Sequence, residues 1–460
     1  MSGLLSRPWA RALLPIVVVA LVAGLAVTIF VLKRHPGKGH RGDDNRPVNL
    51  AKDIKKILAK DKWSTYADEL SGEPPTAPDE VAKYDQLKMD RDLLTKSLDL
   101  GERYLDNNQK PEGNFNYLYD WLTKKMSDSD EQVRQSGALW GLALLHQYRP
   151  SAARRAALDK GLKYFFKSTH EGANGALVIA YGSDKQLRMG TIALVCLSII
   201  DYVSSDQTLS PEYRQELLAK LDGYLKFVKS MQMRNGRFPI GYDLASGKPA
   251  EHSSPYFDGE TLLCMCKAAR QLNRTDLIPF IEKAAKGMAE YYTIRAWRKD
   301  KDSKETKGFY QWGSMSYIEY YQAKWKNYET FGDVTLALSW WMIHTHHSLK
   351  MKRNHAYALE GLISAYRIAK LRNDTAAMVD LLYAIDRTLY KLTAWQIGGP
   401  LVKNNPFLMS HPTDDPLAVG GVMNAAEPGI AHEGDTQHEL RIDVTQHQMH
   451  AIMMALTNVY

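Results

Sequence analysis

The sequence predicts an all-α protein: an (α/α) toroid of about six helical hairpins with short β-hairpins on its rim, preceded by one N-terminal transmembrane helix. Three observations carry this. First, one supersecondary unit recurs: a Gly-aromatic strand, a polar loop, then an apolar helix. Asn114-Phe-Asn-Tyr-Leu-Tyr-Asp-Trp121 leads into Gln132-Val-Arg-Gln-Ser-Gly-Ala-Leu-Trp140, and Asn235-Gly-Arg-Phe-Pro-Ile-Gly-Tyr-Asp243 leads into Tyr256-Phe-Asp-Gly-Glu-Thr-Leu-Leu263. Gly175-Ala-Leu-Val-Ile-Ala-Tyr-Gly182 leads into Arg188-Met-Gly-Thr-Ile-Ala-Leu-Val-Cys196 in the same way, and such a repeat constrains architecture before any residue is assigned a role. Second, amphipathic helical segments (86–107, 151–168, 211–232, 276–294, 374–395) alternate with uniformly apolar ones (131–147, 187–203, 257–272, 331–349, 355–371, 443–459). A helix apolar on all sides is buried and one with a polar face meets water, so the alternation describes an inner and an outer ring. Third, 45% hydrophobic and 24% charged residues in a chain of 460 are the proportions of a folded protein. An open α-solenoid is the competing architecture, but its repeats do not carry the Gly-aromatic strand.

From the N-terminus, residues 1–12 form a short tail, and Leu13 to Leu32 is a run without charge, long enough to span a bilayer core. No Ala-x-Ala-like cleavage site follows, so the run reads as an uncleaved anchor. Lys33, Arg34, Lys38, Arg41 and Arg46 outnumber Arg7 and Arg11, which by the positive-inside rule would keep the body in the cytoplasm. The shortness of the preceding tail favours export instead, placing the body outside the inner (cytoplasmic) membrane. Residues 33–78 are a linker in which Leu50, Ile54, Ile57 and Leu58 mark a short amphipathic helix that could lie on headgroups or dock on the body. Residues 79–460 are the toroid.

The net charge of +7 sits largely beside the anchor; it tolerates an acidic substrate or anionic surface and is no nucleic-acid footprint. Ten Trp and 25 Tyr would serve sugar stacking as well as core packing. Cys196, Cys264 and Cys266 fall in apolar runs, where a thiol packs as a small hydrophobe. The chain has no phosphate-binding Gly loop, no Gly-x-Ser-x-Gly, no His-Glu-x-x-His and no Cys-x-x-Cys, so no cofactor or metal is expected.

In a toroid the loops before the inner helices form a funnel, and the positive helix N-termini there favour anionic groups. Polar residues at inner-helix starts are therefore the candidates. In Arg441-Ile-Asp-Val-Thr-Gln-His-Gln-Met-His450, Asp443, Gln446, His447 and His450 fall on one helical face. Asp443 is expected to hydrogen-bond His447 and hold it in one tautomer; a frayed helix start is the bland alternative, and metal ligation by Asp443, His447 and His450 is only a weak pattern. Arg134 and Arg188 could bind a carboxylate-bearing sugar, or form rim salt bridges with Asp120, Asp128, Asp130 or Asp184. Asp258 and Glu260, two apart on a helix, cannot both face the pore. Glu360 is a lone carboxylate in an apolar helix, expected to have a raised pKa suited to general acid catalysis. His344, His346 and His347 read as a polar helix end. Arg134, Arg188, Asp258 and Asp443 are expected to converge on one mouth.

The runs 113–120 and 132–140, Tyr256-Phe-Asp-Gly-Glu-Thr-Leu-Leu263 and Arg441-Ile-Asp-Val-Thr-Gln-His447 resemble those of the six-hairpin-glycosidase-like toroids, in particular bacterial members associated with cell-envelope glycans. The resemblance carries over no catalytic residue; together with the anchor at Leu13–Leu32 it leads to the expectation of a membrane-anchored enzyme acting on a polysaccharide, either a glycoside hydrolase or a lyase or epimerase of an acidic sugar. For a hydrolase the carboxylates available in the sequence are Asp258 or Glu260, Glu360 and Asp443. In a lyase or epimerase, Tyr119, His447 and the arginines would supply base and charge stabilisation, with Asp120, Arg441 and Gln446 binding substrate. A non-catalytic glycan-binding or scaffold protein, working with other envelope-assembly proteins, is the alternative.

Overall fold

A computed structural model describes residues 46–60, 89–182, 186–351, 353–425 and 438–460. The expected anchor at Leu13–Leu32 lies outside the described residues, and no helix among those described is long and apolar enough to cross a membrane. Residues 46–460 form one compact unit.

The inner ring consists of α3 (Gln132–Tyr148), α5 (Met189–Ser205), α7 (Pro255–Gln271), α9 (Lys304–Gln322), α11 (Ala356–Arg372) and α13 (Ile442–Asn458). Each packs against the next, and α13 packs back against α3, so the ring is closed. The outer helices are α2 (Arg91–Asn108), α4 (Ala152–Lys167), α6 (Pro211–Ser230), α8 (Ile278–Ala289, continued through a π-helical turn to Lys299), α10 (Tyr328–Trp340) and α12 (Thr375–Ala394). From α4 to α12 each outer helix lies on the inner helix before it, while α2 lies on α13 and completes the circle.

Local chemistry starts these helices where the repeat requires. The Glu131 carboxylate caps α3 by accepting from Arg134 N, Ser151 caps α4, and Ser210 followed by Pro211 opens α6, each satisfying an otherwise orphaned first-turn N–H. The rim strands stitch neighbouring repeats. β1 (Leu118–Asp120) pairs antiparallel with β2 (Lys125–Met126) and with β8 (Glu439–Arg441), the strand before the last inner helix, in the register Tyr119↔Leu440. β5 (Gln186–Arg188) pairs with β6 (Gly241–Asp243), which also carries β7 (Lys248–Pro249); β3 (Thr169–Glu171) and β4 (Leu177–Ile179) form a separate hairpin.

The glycine that opens the repeated motif has a steric cause. Gly113 and Gly236 have φ of 116° and 86°, and a Cβ on either would stand 2.4 Å from a carbonyl oxygen of the outer helix beneath, Lys160 or Lys283. Only glycine fits there. Two residues on, the N–H of Phe115 donates to Gln135 Oε1 (2.8 Å) and that of Phe238 to Asp258 Oδ1 (2.7 Å). Gln135 and Asp258 thus occupy equivalent positions in two repeats, each bracketing a rim loop to the first turns of an inner helix.

Two helices differ from expectation. The segment 331–349, expected in the inner ring, belongs to outer helix α10, and the inner helix of that repeat is α9, whose sequence Lys-Glu-Thr-Lys-Gly-Phe-Tyr-Gln-Trp-Gly carries polar and aromatic residues. The cause lies in α1 (Leu50–Lys60), which packs on α10 and buries Leu50 and Ile54, while Arg298 pairs with Asp53 at 3.4 Å. An outer helix roofed by another helix needs no polar face, so apolarity alone misassigns it. The amphipathic helix of the linker accordingly docks on the body.

Candidate active site

The first turns of the inner helices converge on a cavity of about 630 Å³. Every inner helix contributes to its lining: Arg134 from α3, Leu194 from α5, Glu260 from α7, Gln311 from α9, Tyr357 from α11 and His447 from α13. Its floor is an aromatic layer shared with a second cavity at the opposite ends of the inner helices, Trp312 and His447 facing the first and Trp140 and His450 the second. Trp140 and Trp312 have centroids 5.5 Å apart, with His450 edge-on to Trp140 at 4.8 Å and His447 5.9 Å from Trp312.

At the floor, Glu360 joins two imidazoles. Its side chain is fully buried; Oε1 lies 2.6 Å from His450 Nδ1 and 3.3 Å from His447 Nδ1, and Oε2 accepts from Gln311 Nε2. Gln311 Nε2 also lies 3.1 Å from His447 Nδ1. That nitrogen therefore has a partner in either state: bare, it accepts from Gln311, and protonated, it donates to Glu360. Nε2 of His447 makes no hydrogen bond among the described residues, and the side chain, 21% exposed, borders the cavity. Burial works against charge on both partners, but mutual attraction outweighs it. Glu360 is held below the usual carboxylate range by His447 and His450, and His447 above the usual imidazole range by Glu360 and Asp443. The expected lone Glu360 with a raised pKa is corrected on both counts, because its partners come from helices distant in sequence.

Asp443 does not orient His447. It accepts a bidentate pair from Arg441 (Nε to Oδ1 3.0 Å, Nη2 to Oδ2 2.8 Å), with Arg134 Nε at 3.5 Å. Burial raises its pKa, but the two guanidiniums prevail and hold it low. Arg441, the extended N-cap of α13, reaches back over the first turn, and a charge-assisted fork outcompetes a single imidazole bond. Arg134 also meets the Tyr117 hydroxyl, and among the described residues it pairs with none of Asp120, Asp128 and Asp130, while Asp184 lies outside them.

Asp258 and Glu260 separate as their spacing requires. Asp258 is fully buried outside the cavity lining, bonded to Phe238 N and the Tyr292 hydroxyl (2.5 Å), and burial raises it to about 7; its place in the repeat is that of Gln135, which argues for a structural bracket. Glu260 lines the cavity, 4% exposed, with Oε2 unpartnered, and burial followed by the Glu131 charge raises it to about 8. Gly190 makes room for it, since a Cβ there would lie 2.4 Å from that oxygen. Gln446 is also buried at the cavity with both amide atoms unpartnered, against Gly141, where a Cβ would stand 2.6 Å from its Cγ.

Three nominated residues stand outside the lining. The Tyr119 hydroxyl bonds Asp415 and is pushed up to about 12, chiefly by burial. Asp120 caps the rim turn, accepting from Leu122 N and Thr123 N at 3.1 Å. Arg188 ends β5 opposite Gly241. Of the four residues expected at one mouth, the cavity brings together Arg134 and Asp443. His346 Nδ1 lies 2.7 Å from Asp302 at the end of the α10 segment. Among the described residues no group of three or more His, Cys, Asp or Glu is placed to hold a metal ion.

Lys307, Gln311 and Trp312 on α9, and Arg353, His355 and Tyr357 at the entry to α11, also line the cavity; none was singled out from the sequence. The available signal was the i, i+4 pair Lys307 and Gln311 ahead of Gly313, inside a helix whose inner position was hidden by its polar start.

No protein-family model matches the chain, and no curated relative does. Solved structures match its fold. A D-mannose isomerase is 10% identical with a TM-score of 0.56, covering 80% of this chain and 98% of its own. The cellobiose 2-epimerase of Bacillus thermoamylovorans is 9% identical at 0.54, with the same coverage, and a family 76 glycoside hydrolase from a bovine Bacteroides thetaiotaomicron strain is 9% identical at 0.52, covering 79% and 78%. The fold is that of the six-hairpin-glycosidase-like (α/α) toroids. At these identities the likeness is one of architecture.

Proposed function

We propose that this chain is a carbohydrate-active enzyme that transfers a proton at a carbon of its sugar substrate, with His447 as the acid–base group. The observation that carries the reading is the His447–Glu360 pair at the cavity floor: an imidazole oriented through Nδ1, with Nε2 open to the cavity. Nε2 would take the proton from a carbon next to a carbonyl or uronic carboxylate, and the electron pair would move into that group as an enediolate. Returning the proton to the other face, or to the neighbouring carbon, completes an epimerisation or isomerisation; expulsion of the adjacent glycosidic oxygen completes an elimination. Glu260, protonated at neutral pH, can donate a hydrogen bond to a substrate oxygen. Two matched structures are described as an isomerase and an epimerase, which is compatible with this class.

The test is deuterium uptake from D₂O into a panel of neutral and acidic mono- and oligosaccharides, read by NMR. Carbon-bound deuterium that disappears in His447→Gln is expected. New reducing ends without carbon-bound deuterium, abolished by Glu260→Gln, would replace this reading with glycoside hydrolysis. The specific support for hydrolysis is the buried, proton-retaining Glu260. Binding without turnover would favour the non-catalytic alternative. The reading includes export and anchoring at the inner membrane through Leu13–Leu32 and an envelope glycan as substrate. Alkaline phosphatase fused after Tyr460 should be active, and activity of a cytoplasmic reporter there would overturn that placement.

A further inference from the structure

Glu360 does more than orient His447. Its Oε1 is shared by two imidazoles, 3.3 Å from His447 Nδ1 and 2.6 Å from His450 Nδ1. The two rings stand three residues apart on α13, about 4.5 Å along the axis, and they face opposite ways. His447 borders the front cavity, whereas His450 borders the cavity of about 510 Å³ at the other ends of the inner helices, a space large enough for several waters. A carboxylate only accepts, so a ring that bonds it donates through Nδ1, and when that ring is charged its second proton is on Nε2. One fully buried carboxylate neutralises one imidazolium. Two imidazoliums would leave an unpaired charge in the core, which is costly. Charge on His447 and charge on His450 therefore compete. Gln311 Nε2, bonded to Glu360 Oε2 and 3.1 Å from His447 Nδ1, steadies the carboxylate whichever ring is charged.

The surroundings leave this competition to Glu360. Beyond burial and Glu360 itself, Asp443 favours charge on His447 and Arg441 opposes it. On the other side, Tyr148 from α3, Lys267 from α7, Glu319 from α9 and Arg367 from α11 border the cavity with His450. Lys267 lies 2.5 Å from Asp201 and Glu319 2.5 Å from Arg270, so both pairs close without an imidazole. Helix α2, which also packs on α13, lines neither cavity.

We infer that His450 is a positioning residue that balances the charge of His447: as His447 takes a proton from the sugar, His450 gives one to water in the opposite cavity. This rests on the proton-transfer reading and adds a second residue to it. On the sugar a C–H bond breaks, its electron pair moves into the adjacent carbonyl or carboxylate, and an N–H bond forms at His447 Nε2. On the far side the N–H bond at His450 Nε2 breaks and its proton passes to water. The buried cluster goes from charged His450, Glu360 carboxylate and neutral His447 to neutral His450, Glu360 carboxylate and charged His447, with no net charge before or after. Reprotonation of the sugar reverses both transfers.

The test is an NMR titration of the full-length protein in detergent, carrying isotope-labelled histidine, with His447→Gln and His450→Asn assigning the two rings. The Asn amide can take the place of Nδ1 and donate to Glu360. In the parent, both rings are expected to respond in each of two steps, as sites coupled by about one pK unit or more do. In His450→Asn, His447 should keep its proton to a pH about one unit or more higher and titrate in one step. Loss of Tm alone, with the His447 titration unmoved in folded His450→Asn, would make His450 structural and overturn the inference. Independent single-step titrations in the parent, which require no variant to fold, overturn it as well. For any sugar that takes up carbon-bound deuterium, the rising limb of exchange against pH should move up with His447 in His450→Asn, and a limb that stays in place counts against the inference. Coupled titration with no exchange in any sugar would sink the proton-transfer reading and leave the competition for Glu360 standing; exchange with uncoupled rings would do the reverse.

Discussion

The same ring of helices has two mouths, and they are chemically unlike. At the N-terminal ends of the inner helices the cavity is lined by arginines, lysine, carboxyls, imidazoles and amides, several of them unpartnered. At the C-terminal ends a cavity of about 510 Å³ mixes Leu144, Leu263, Met315, Ile318, Met453 and Met454 with Gln147, Lys267, Gln271, Glu319 and Arg367, and two of its charged groups, Lys267 and Glu319, are held in ion pairs. Lys267 lies 2.5 Å from Asp201, which also accepts from Trp140 Nε1, and Arg270 lies 2.5 Å from Glu319. The difference follows from the path of the chain. Behind, an inner helix passes to its outer helix through short turns such as Arg149–Ser151 and Asn373–Asp374; in front, the chain returns through rim hairpins that bring strands and long loops over the opening. Long connections carry function on a rigid scaffold, so the same helices meet long loops and a convergent polar cavity at one end and short turns at the other.

The strongest way to break this comparison is at His447. His447→Gln should lower turnover by about 10²–10⁴-fold, the usual range for a lost acid–base group, with little change in Tm. A comparable loss of Tm would make the front mouth as structural as the back. Next come the buried charges. Glu360→Ala leaves two imidazoles and an amide unanswered, and Lys267→Met leaves Asp201 buried; each should cost about 3–5 kcal/mol in denaturant unfolding. Glu360→Ala should also abolish activity, whereas Lys267→Met should leave the activity of the folded fraction intact. Equal effects on activity would erase the distinction between the mouths. Smaller is the effect of Gly141→Ala, whose Cβ would stand 2.6 Å from Gln446 Cγ. An overpacking cost of about 1–3 kcal/mol is expected, and ligand affinity should fall with it if Gln446 serves the front cavity.

The finest test is pH. Glu260 is raised from 4.5 to about 8, so between those values the folded state keeps a proton that the unfolded state has released. Stability therefore falls as pH rises across that window. Glu260→Gln removes this slope, and Tm of the variant relative to the parent should climb from pH 4.5 to 8. A constant difference would show that Glu260 ionises normally and has no proton to give.

The repeat was legible because its causes are local. Gly113 and Gly236 are required by φ, the alternation of helix types follows burial, and the stripe on α13 follows helical periodicity. These determine a ring of hairpins with polar residues at one set of helix ends. Local signals failed where a helix acquired an unforeseen neighbour: α1 over α10 exchanged the inner and outer assignments of one repeat, and with α9 unplaced, Lys307 and Gln311 went unnoticed.

What the sequence by itself determined is which residue types stand at inner-helix starts. Which of them act together was decided by the closed ring. Glu360 and His447 are 87 residues apart, and no periodicity relates them; they meet because α11 and α13 are adjacent in the circle. Asp443, one turn from His447, was drawn instead to Arg441 and Arg134. Spacing along a helix selects a face, but which partner a charged group takes depends on distance and geometry in three dimensions, where the better hydrogen-bonded ion pair wins.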